Sequence, residues 1–192
     1  MHYVIASGDT AATAAVTQQP GVKRIADGEM LVLEGPWTLG PTALGFCDAA
    51  EPPRPLAAAS GSNLTAYAVA GIDTPADGGA FVIAAHKMLD PVAFKPYAEA
   101  IPAMLASFGV RSLARGGTVT PLAGGFAPDR GVVLEFASVD ALLDFYTSDI
   151  YRPLLDLRLR TTDPRFIVMA RSGAIPAAAR ARAEEFVRSR QR

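Results

Sequence analysis

The sequence predicts an α+β fold whose clearest part is a βαββαβ unit at residues 80–173. Short apolar runs at residues 80–85, 131–136 and 166–170 have the length and composition of buried strands. Apolar residues at helical spacing separate the first of these runs from the second, and again the second from the third. Half of the chain is hydrophobic, which is enough to form a packed core.

The first strand and the first helix of this unit have clear boundaries. The turn Asp77-Gly78-Gly79 precedes the strand. Asp90 stands directly before Pro91, a pairing typical of a helix N-cap and first turn. Gly109 marks the end of the helix, and Pro102 within it predicts a kink. The residues at helical spacing are Phe94, Tyr97, Ala98, Ile101, Met104, Leu105 and Phe108.

The remaining elements complete the order. We predict one extended strand at residues 111–122, interrupted by Gly116-Gly117, before the strand at residues 131–136. Ser138 caps a second helix, which leads to the last strand. The resulting order, βαββαβ, is that of a ferredoxin-like fold.

The first 74 residues repeat this pattern in a weaker form. Only 14 residues separate Ala6 from Gly21, whereas 24 separate the corresponding Ala84 from Gly109. We interpret residues 1–74 as a degenerate ferredoxin-like repeat that kept its strands and shortened its helices. A β-rich N-terminal extension is the alternative. The matched segments are residues 3–6 with 81–84, 21–28 with 109–116, and 44–46 with 134–136, and a further apolar run at residues 64–70 stands in place of the last strand.

Four parts follow from this pattern: residues 1–74, a linker at 75–79, a complete domain at 80–173 and a C-terminal helix at 174–192. Arginines in the last part are mixed with Glu184 and Glu185, which favours a solvated helix face over a site for an anionic partner.

Composition excludes several classes of function. Because 18 basic residues stand against 19 acidic ones, we expect no nucleic-acid partner. Cys47 is the single cysteine, so no internal disulfide or Cys-rich metal site is expected. No apolar run reaches the length of a membrane span, and Met1-His2-Tyr3 does not begin a signal peptide. We therefore predict a cytoplasmic protein with no membrane partner, no metal and no cofactor.

An ordered set of motifs in the second half is similar to a known family. The set is Phe81-Val82-Ile83-Ala84, Asp90-Pro91, Tyr97, Arg115-Gly116-Gly117, Asp129-Arg130, Glu135-Phe136-Ala137-Ser138, Tyr146, Ser148, Tyr151 and Arg158. Residues 80–173 resemble the bacterial family called domain of unknown function 1330, within the dimeric α+β barrel superfamily. One departure stands out. The family usually has an acidic residue where Ala123 stands, and the first half carries Leu33-Glu34-Gly35 at the equivalent place.

The resemblance implies a fold and an assembly but no single reaction. Members pair two sheets from two chains into a barrel, and a fused tandem would build that barrel within one chain. A homodimer is the other assembly considered. Relatives in the superfamily include cofactor-independent monooxygenases, muconolactone isomerases, polyketide cyclases and haem-binding proteins, so fold alone does not select an activity.

The candidate site residues are three titratable or charged groups and three tyrosines. His86 falls on the same strand face as Val82 and Ala84 and titrates near neutral pH. Glu135 stands among apolar residues, which indicates either an ion pair with Arg115 or Arg111, or a carboxylate tuned for proton transfer.

These groups suggest a mainly apolar pocket for a small molecule. Arg115 is suited to hold a carboxylate or stabilise an enolate, while Glu135 or His86 moves a proton. The tyrosines from the predicted helices are Tyr97, Tyr146 and Tyr151. Alternatively, each tyrosine packs its ring and makes one hydrogen bond. Three functions stay open. The first is an isomerase, cyclase or monooxygenase acting on a small aromatic or polyketide-like substrate, and the second is a small-molecule-binding module. The third is a non-catalytic structural or assembly protein whose first repeat completes the barrel.

Overall fold

The computed structural model describes residues 1–37, 40–55, 64–124 and 128–190. Within these residues the first half of the chain forms six elements: β1 (His2–Ser7), α1 (Thr10–Thr17), β2 (Val22–Gly28), β3 (Met30–Glu34), β4 (Thr42–Cys47) and β5 (Thr65–Ala70). The second half forms nine: β6 (Ala80–Met88), α2 (Pro91–Ser107), β7 (Arg111–Gly117), β8 (Val119–Ala123), β9 (Arg130–Phe136), α3 (Val139–Tyr146), α4 (Arg152–Thr161), β10 (Thr162–Ala170) and α5 (Ala177–Arg190).

The strands form two five-stranded sheets. Each sheet contains four strands from one half of the chain and one strand from the other half. The first sheet has the order β2-β4-β1-β5-β8, and the second has the order β3-β10-β6-β9-β7. Strand β3 pairs antiparallel with β10, and β8 pairs antiparallel with β5. The four strands that each sheet draws from its own half follow the same antiparallel order. The predicted α+β, ferredoxin-like class is confirmed.

The prediction of one strand over residues 111–122 was wrong, because the chain changes sheets within that segment. Strand β7 ends at Gly117 in the second sheet, and β8 begins at Val119 in the first. A Cβ atom at Gly117 would lie 2.5 Å from the carbonyl oxygen of Ala70. The chain can therefore cross next to β5 only because residue 117 has no side chain.

Three cores hold these layers together. The inner core lies between the two sheets and contains, among others, Tyr3, Ile5 and Tyr67 from the first sheet and Phe81, Ile83 and Met169 from the second. A second core joins the outer face of the second sheet to helices α2–α5, and a smaller one packs α1 on the first sheet. Trp37, which is 9% exposed, packs in the inner core. The two sheets thus face each other within one chain.

The helix boundaries follow local capping. The carboxylate of Asp90 accepts hydrogen bonds from the backbone N–H groups of Val92 and Ala93, at 3.1 and 2.9 Å. The Ser138 hydroxyl accepts a bond from the N–H of Ala141 in the same way. Helix α1 has 8 residues against 17 in α2, so the first-half helix is short. In the first repeat, a second helix equivalent to the one capped by Ser138 would follow Phe46. This segment falls partly on residues 56–63, which lie outside the described residues.

The C-terminal helix α5 packs through small residues and pairs its charges. Ala179 and Ala183 are buried against the outer core. Its arginines form ion pairs between Arg180 and Glu29, Arg182 and Asp144, and Arg190 and Asp156. Among the described helices, none combines the length and apolar character needed to cross a membrane.

Candidate functional site

A cavity of about 90 Å³ lies between α2, α4 and the outer face of the second sheet. Its walls are mainly apolar and aromatic, with Phe94 and Ile101 from α2 and Phe166 from β10. Six residues bring polar atoms to it: His86, Tyr97, Arg115, Arg130, Tyr151 and Arg158. Strand β6, both helices and strands β7 and β9 therefore converge on one space.

One side of the cavity is closed by a buried ion pair between Arg158 and Glu34. Arg158 is fully buried, and Glu34 is 8% exposed. The guanidinium donates to both carboxylate oxygens, with Nη1 at 2.8 Å from Oε2. The Tyr146 hydroxyl donates to the same carboxylate. Such a pair tolerates burial because each charge is compensated and hydrogen-bonded.

The hydrogen bond from Arg158 fixes the state of His86. Arg158 Nη1 lies 3.1 Å from His86 Nε2, and a guanidinium can only donate. Nε2 is therefore the acceptor, and Nδ1 carries the proton. Burial, followed by the charges of Arg158 and Arg130, lowers the pKa of His86 well below its usual value. His86 is thus a neutral imidazole whose basic lone pair is already engaged.

The hydroxyls of Tyr146 and Tyr151 are also held in their neutral form. Burial raises the pKa of Tyr151 well above its usual value, and burial together with the Glu34 charge does the same for Tyr146. Tyr97 and Tyr151 line the cavity, whereas Tyr146 contacts Glu34 at its edge. Neither Tyr146 nor Tyr151 therefore offers a phenolate base near neutral pH.

Two arginines complete the polar end of the cavity. Arg130 lies directly across from His86 in the β6–β9 register, and its guanidinium carbon is 5.3 Å from the centroid of the Phe94 ring. Gly116 leaves room for this guanidinium, because a Cβ atom there would lie 2.1 Å from Arg130 Nη2. Arg115, on the neighbouring strand β7, lines the cavity and is exposed to solvent.

Glu135 is separated from the other sequence-predicted residues by the sheet itself. It pairs with Phe81 in the register and shares the inner face of the second sheet with that residue. Its carboxylate binds Arg111 at 3.1 Å and Arg171 at 2.6 Å. The N–H groups of Ala76 and Gly78 add two bonds. The structure therefore brings together His86, Arg115, Tyr97 and Tyr151, and it shows the Glu135–Arg111 pair of the alternative interpretation.

Three residues that the sequence argument did not select contribute to the site: Glu34, Arg130 and Arg158. The sequence did signal Glu34, as the acidic residue placed where the second half has Ala123. Its role depends on the pairing of β3 with β10. This pairing brings Glu34 to Arg158, which lies 124 positions away in the sequence. Among the described residues, no group of three or more His, Cys, Asp or Glu side chains is arranged to hold a metal ion.

Comparison with protein families matches residues 79–171 to the family described as Domain of unknown function (DUF1330). The matched segment runs from the start of β6 to the end of β10 and so contains His86, Arg115, Arg130 and Arg158. It leaves out β3 and Glu34. Comparison with curated proteins gives no match. The second half of the chain, residues 79–171, therefore matches the DUF1330 family.

Proposed function

We propose that this protein binds a small molecule in the cavity between α2, α4 and the second sheet. The observation that carries the proposal is a cavity of about 90 Å³ placed against the buried chain Tyr146–Glu34–Arg158–His86. Small-molecule sites are typically concave and mainly apolar, with a few fixed polar groups. A structural or assembly protein whose first repeat only completes the barrel would not need charged groups around this cavity.

Binding is favoured over proton transfer because the bases near the cavity are occupied. The Nε2 lone pair of His86 accepts from Arg158, and the Glu34 oxygens accept from Arg158 and Tyr146. A general base needs a free lone pair within reach of the substrate proton. If an isomerase, cyclase or monooxygenase reaction used His86 or Glu34 as its base, one of these bonds would have to break first.

The size of the cavity limits the ligand. An apolar cavity of about 150 Å³ accommodates benzene, so about 90 Å³ suits a compact hydrocarbon group. Arg115 is exposed at this site, which leaves room for a larger ligand to extend towards solvent.

The proposal is tested by filling the cavity from one helix. Ala98 on α2 lines the cavity, and Ala103 on the same helix is exposed. Thermal shifts would be measured against aromatic acids, lactones, flavins and haem for the unmodified protein, Ala98→Leu and Ala103→Leu. A ligand at one hundred times its dissociation constant stabilises the folded state by about 2.7 kcal/mol.

We expect at least one compound to stabilise the unmodified protein and Ala103→Leu, and to lose its effect on Ala98→Leu. Equal shifts for the two variants would place the ligand elsewhere. No shift with any compound, from a protein that melts cooperatively, would contradict the proposal and favour the assembly function.

A further inference from the structure

We infer that the ligand of this cavity is a small carboxylate with a compact apolar body, held with its carboxylate group at the His86–Arg130 end. This inference rests on the proposed function and names the class of molecule that the site selects.

The charge of the lining is the first argument. Of the residues that the structure describes, three arginines and no acidic residue line the cavity. Glu34 compensates Arg158 from one side. Within the described residues, Arg115 and Arg130 form no ion pair. The cavity therefore presents two uncompensated cations to whatever occupies it, and an anion is the complementary ligand.

Buried donors without acceptors are the second, independent argument. His86 is 3% exposed, and its Nδ1, which carries the proton, has no hydrogen-bond partner among the described residues. Arg130 Nε lacks one as well. Native structures satisfy most buried polar groups, so such atoms call for an explanation. A ligand that supplies acceptors and no donors explains both.

The layout of the cavity distinguishes a carboxylate from a bare anion. His86 and Arg130 face each other near the start of α2, where Phe94 also lies. Ile101 and Leu105, about two and three turns further along α2, line the other end. A planar carboxylate matches the donor geometry of a guanidinium, and a hydrocarbon body removes the apolar end from water. Inorganic phosphate offers the charge without the body.

The test uses pairs of compounds that differ in charge but have nearly the same shape. Isothermal titration of the 192-residue chain would compare isobutyrate with isobutyramide, and benzoate with benzamide, with inorganic phosphate as a further probe. The variant Arg130→Met removes the guanidinium and keeps an unbranched side chain. Arg160→Met changes an exposed arginine on α4 and serves as its control. Arg115→Met, at an exposed position, provides a second cavity variant if Arg130→Met does not fold.

We expect at least one acid to bind at least tenfold more tightly than its amide. Arg130→Met or Arg115→Met should remove that preference, while Arg160→Met keeps it. Equal binding of acid and amide would overturn the inference and leave the proposed function intact, as would phosphate binding as tightly as the better acid. Binding of neutral lactones or flavins alone would overturn it too. If nothing binds in either screen, the proposed function itself fails.

Discussion

Glu34 and Arg158 are buried and lose nearly all of their hydration. Each charge is therefore stabilised in the protein interior by the other. Arg158 is fully buried and bonds to both oxygens of the carboxylate. It also contacts the imidazole of His86 and the faces of Phe166 and Tyr97, at 5.0 and 5.9 Å from its guanidinium carbon. None of these neutral groups can replace the negative charge. Removing that charge leaves a buried cation uncompensated, which is far more costly than breaking a surface pair.

We therefore expect Glu34→Gln to destabilise the protein by about 3 kcal/mol, the lower end of the range for breaking a buried pair, because the amide oxygen still accepts one bond. Urea unfolding measures this change. Glu29→Gln is the matched control, since Glu29 pairs with Arg180 at the surface and should change stability little. Equal stability of the two variants would show that Arg158 does not depend on Glu34.

At the scale of single residues, the sequence reveals residue types and which residues share a strand face, but it does not reveal which side chains they contact. Alternation correctly put His86 on the face of Val82 and Ala84, where the cavity and the outer core lie. The same alternation cannot tell which sheet face meets helices and which meets the other sheet. Glu135 consequently belongs to the inner face, with Arg111 and Arg171 as partners, although the sequence placed it as readily beside His86.

Strand β3 is the element that connects the two halves of the chain at the site. It leaves β2, which lies in the first sheet, and adds to the edge of the second sheet beside β10. Gly35 follows it directly and has a φ angle of +69°. A Cβ atom at this position would lie 1.9 Å from the carbonyl oxygen of Pro164 on β10. The close approach of two backbones thus fixes the end of β3 and, with it, Glu34.

A comparison of Gly35 with Gly109 distinguishes the energetic cost of a steric clash from that of backbone strain, because the two glycines have nearly the same φ angle. Gly109, after α2, has a φ angle of +67°, and its added Cβ would meet nothing within 4 Å. Gly109→Ala should cost about 1–2 kcal/mol, the usual penalty for a left-handed residue with a side chain. Gly35→Ala should cost more by about 1–3 kcal/mol, because the backbone of β10 must move as well.

Urea unfolding of both variants measures this difference, and ligand titration supplies a second readout. Only Gly35→Ala should weaken binding, since it shifts the strand that carries Glu34. If the two variants lose the same stability and bind alike, β3 is not held by its contact with β10.

The sequence identified most elements because their signals are local. Capping by Asp90 and Ser138 and the apolar run of β6 need no information from elsewhere in the chain. Partner choice is not local. Strands β3 and β8 each pair with a strand from the other half of the chain. Apolar periodicity within a strand does not indicate which strand it pairs with.

At the scale of the whole molecule, the inner core makes the two halves interdependent. Tyr3, Ile5 and Tyr67 from the first sheet pack in the same cluster as Phe81 and Met169 from the second. The exchanged strands β3 and β8 add backbone hydrogen bonds between the halves at both sheet edges. Unfolding either half alone would expose the inner face of the other sheet to water, at a cost proportional to the apolar area uncovered.

The whole chain should therefore unfold in one transition, although its sequence suggests two repeats. Trp37 is the single tryptophan of the chain and packs in the inner core, so its fluorescence reports on the contact between the sheets. Far-ultraviolet circular dichroism reports mainly on α2–α5, which all belong to the second half. We expect both signals to change at the same urea concentration with the same slope, as a two-state transition requires. A fluorescence change that precedes the loss of helix would instead show that residues 1–74 separate from a stable second half, and Glu34 would then leave the site before the rest of it unfolds.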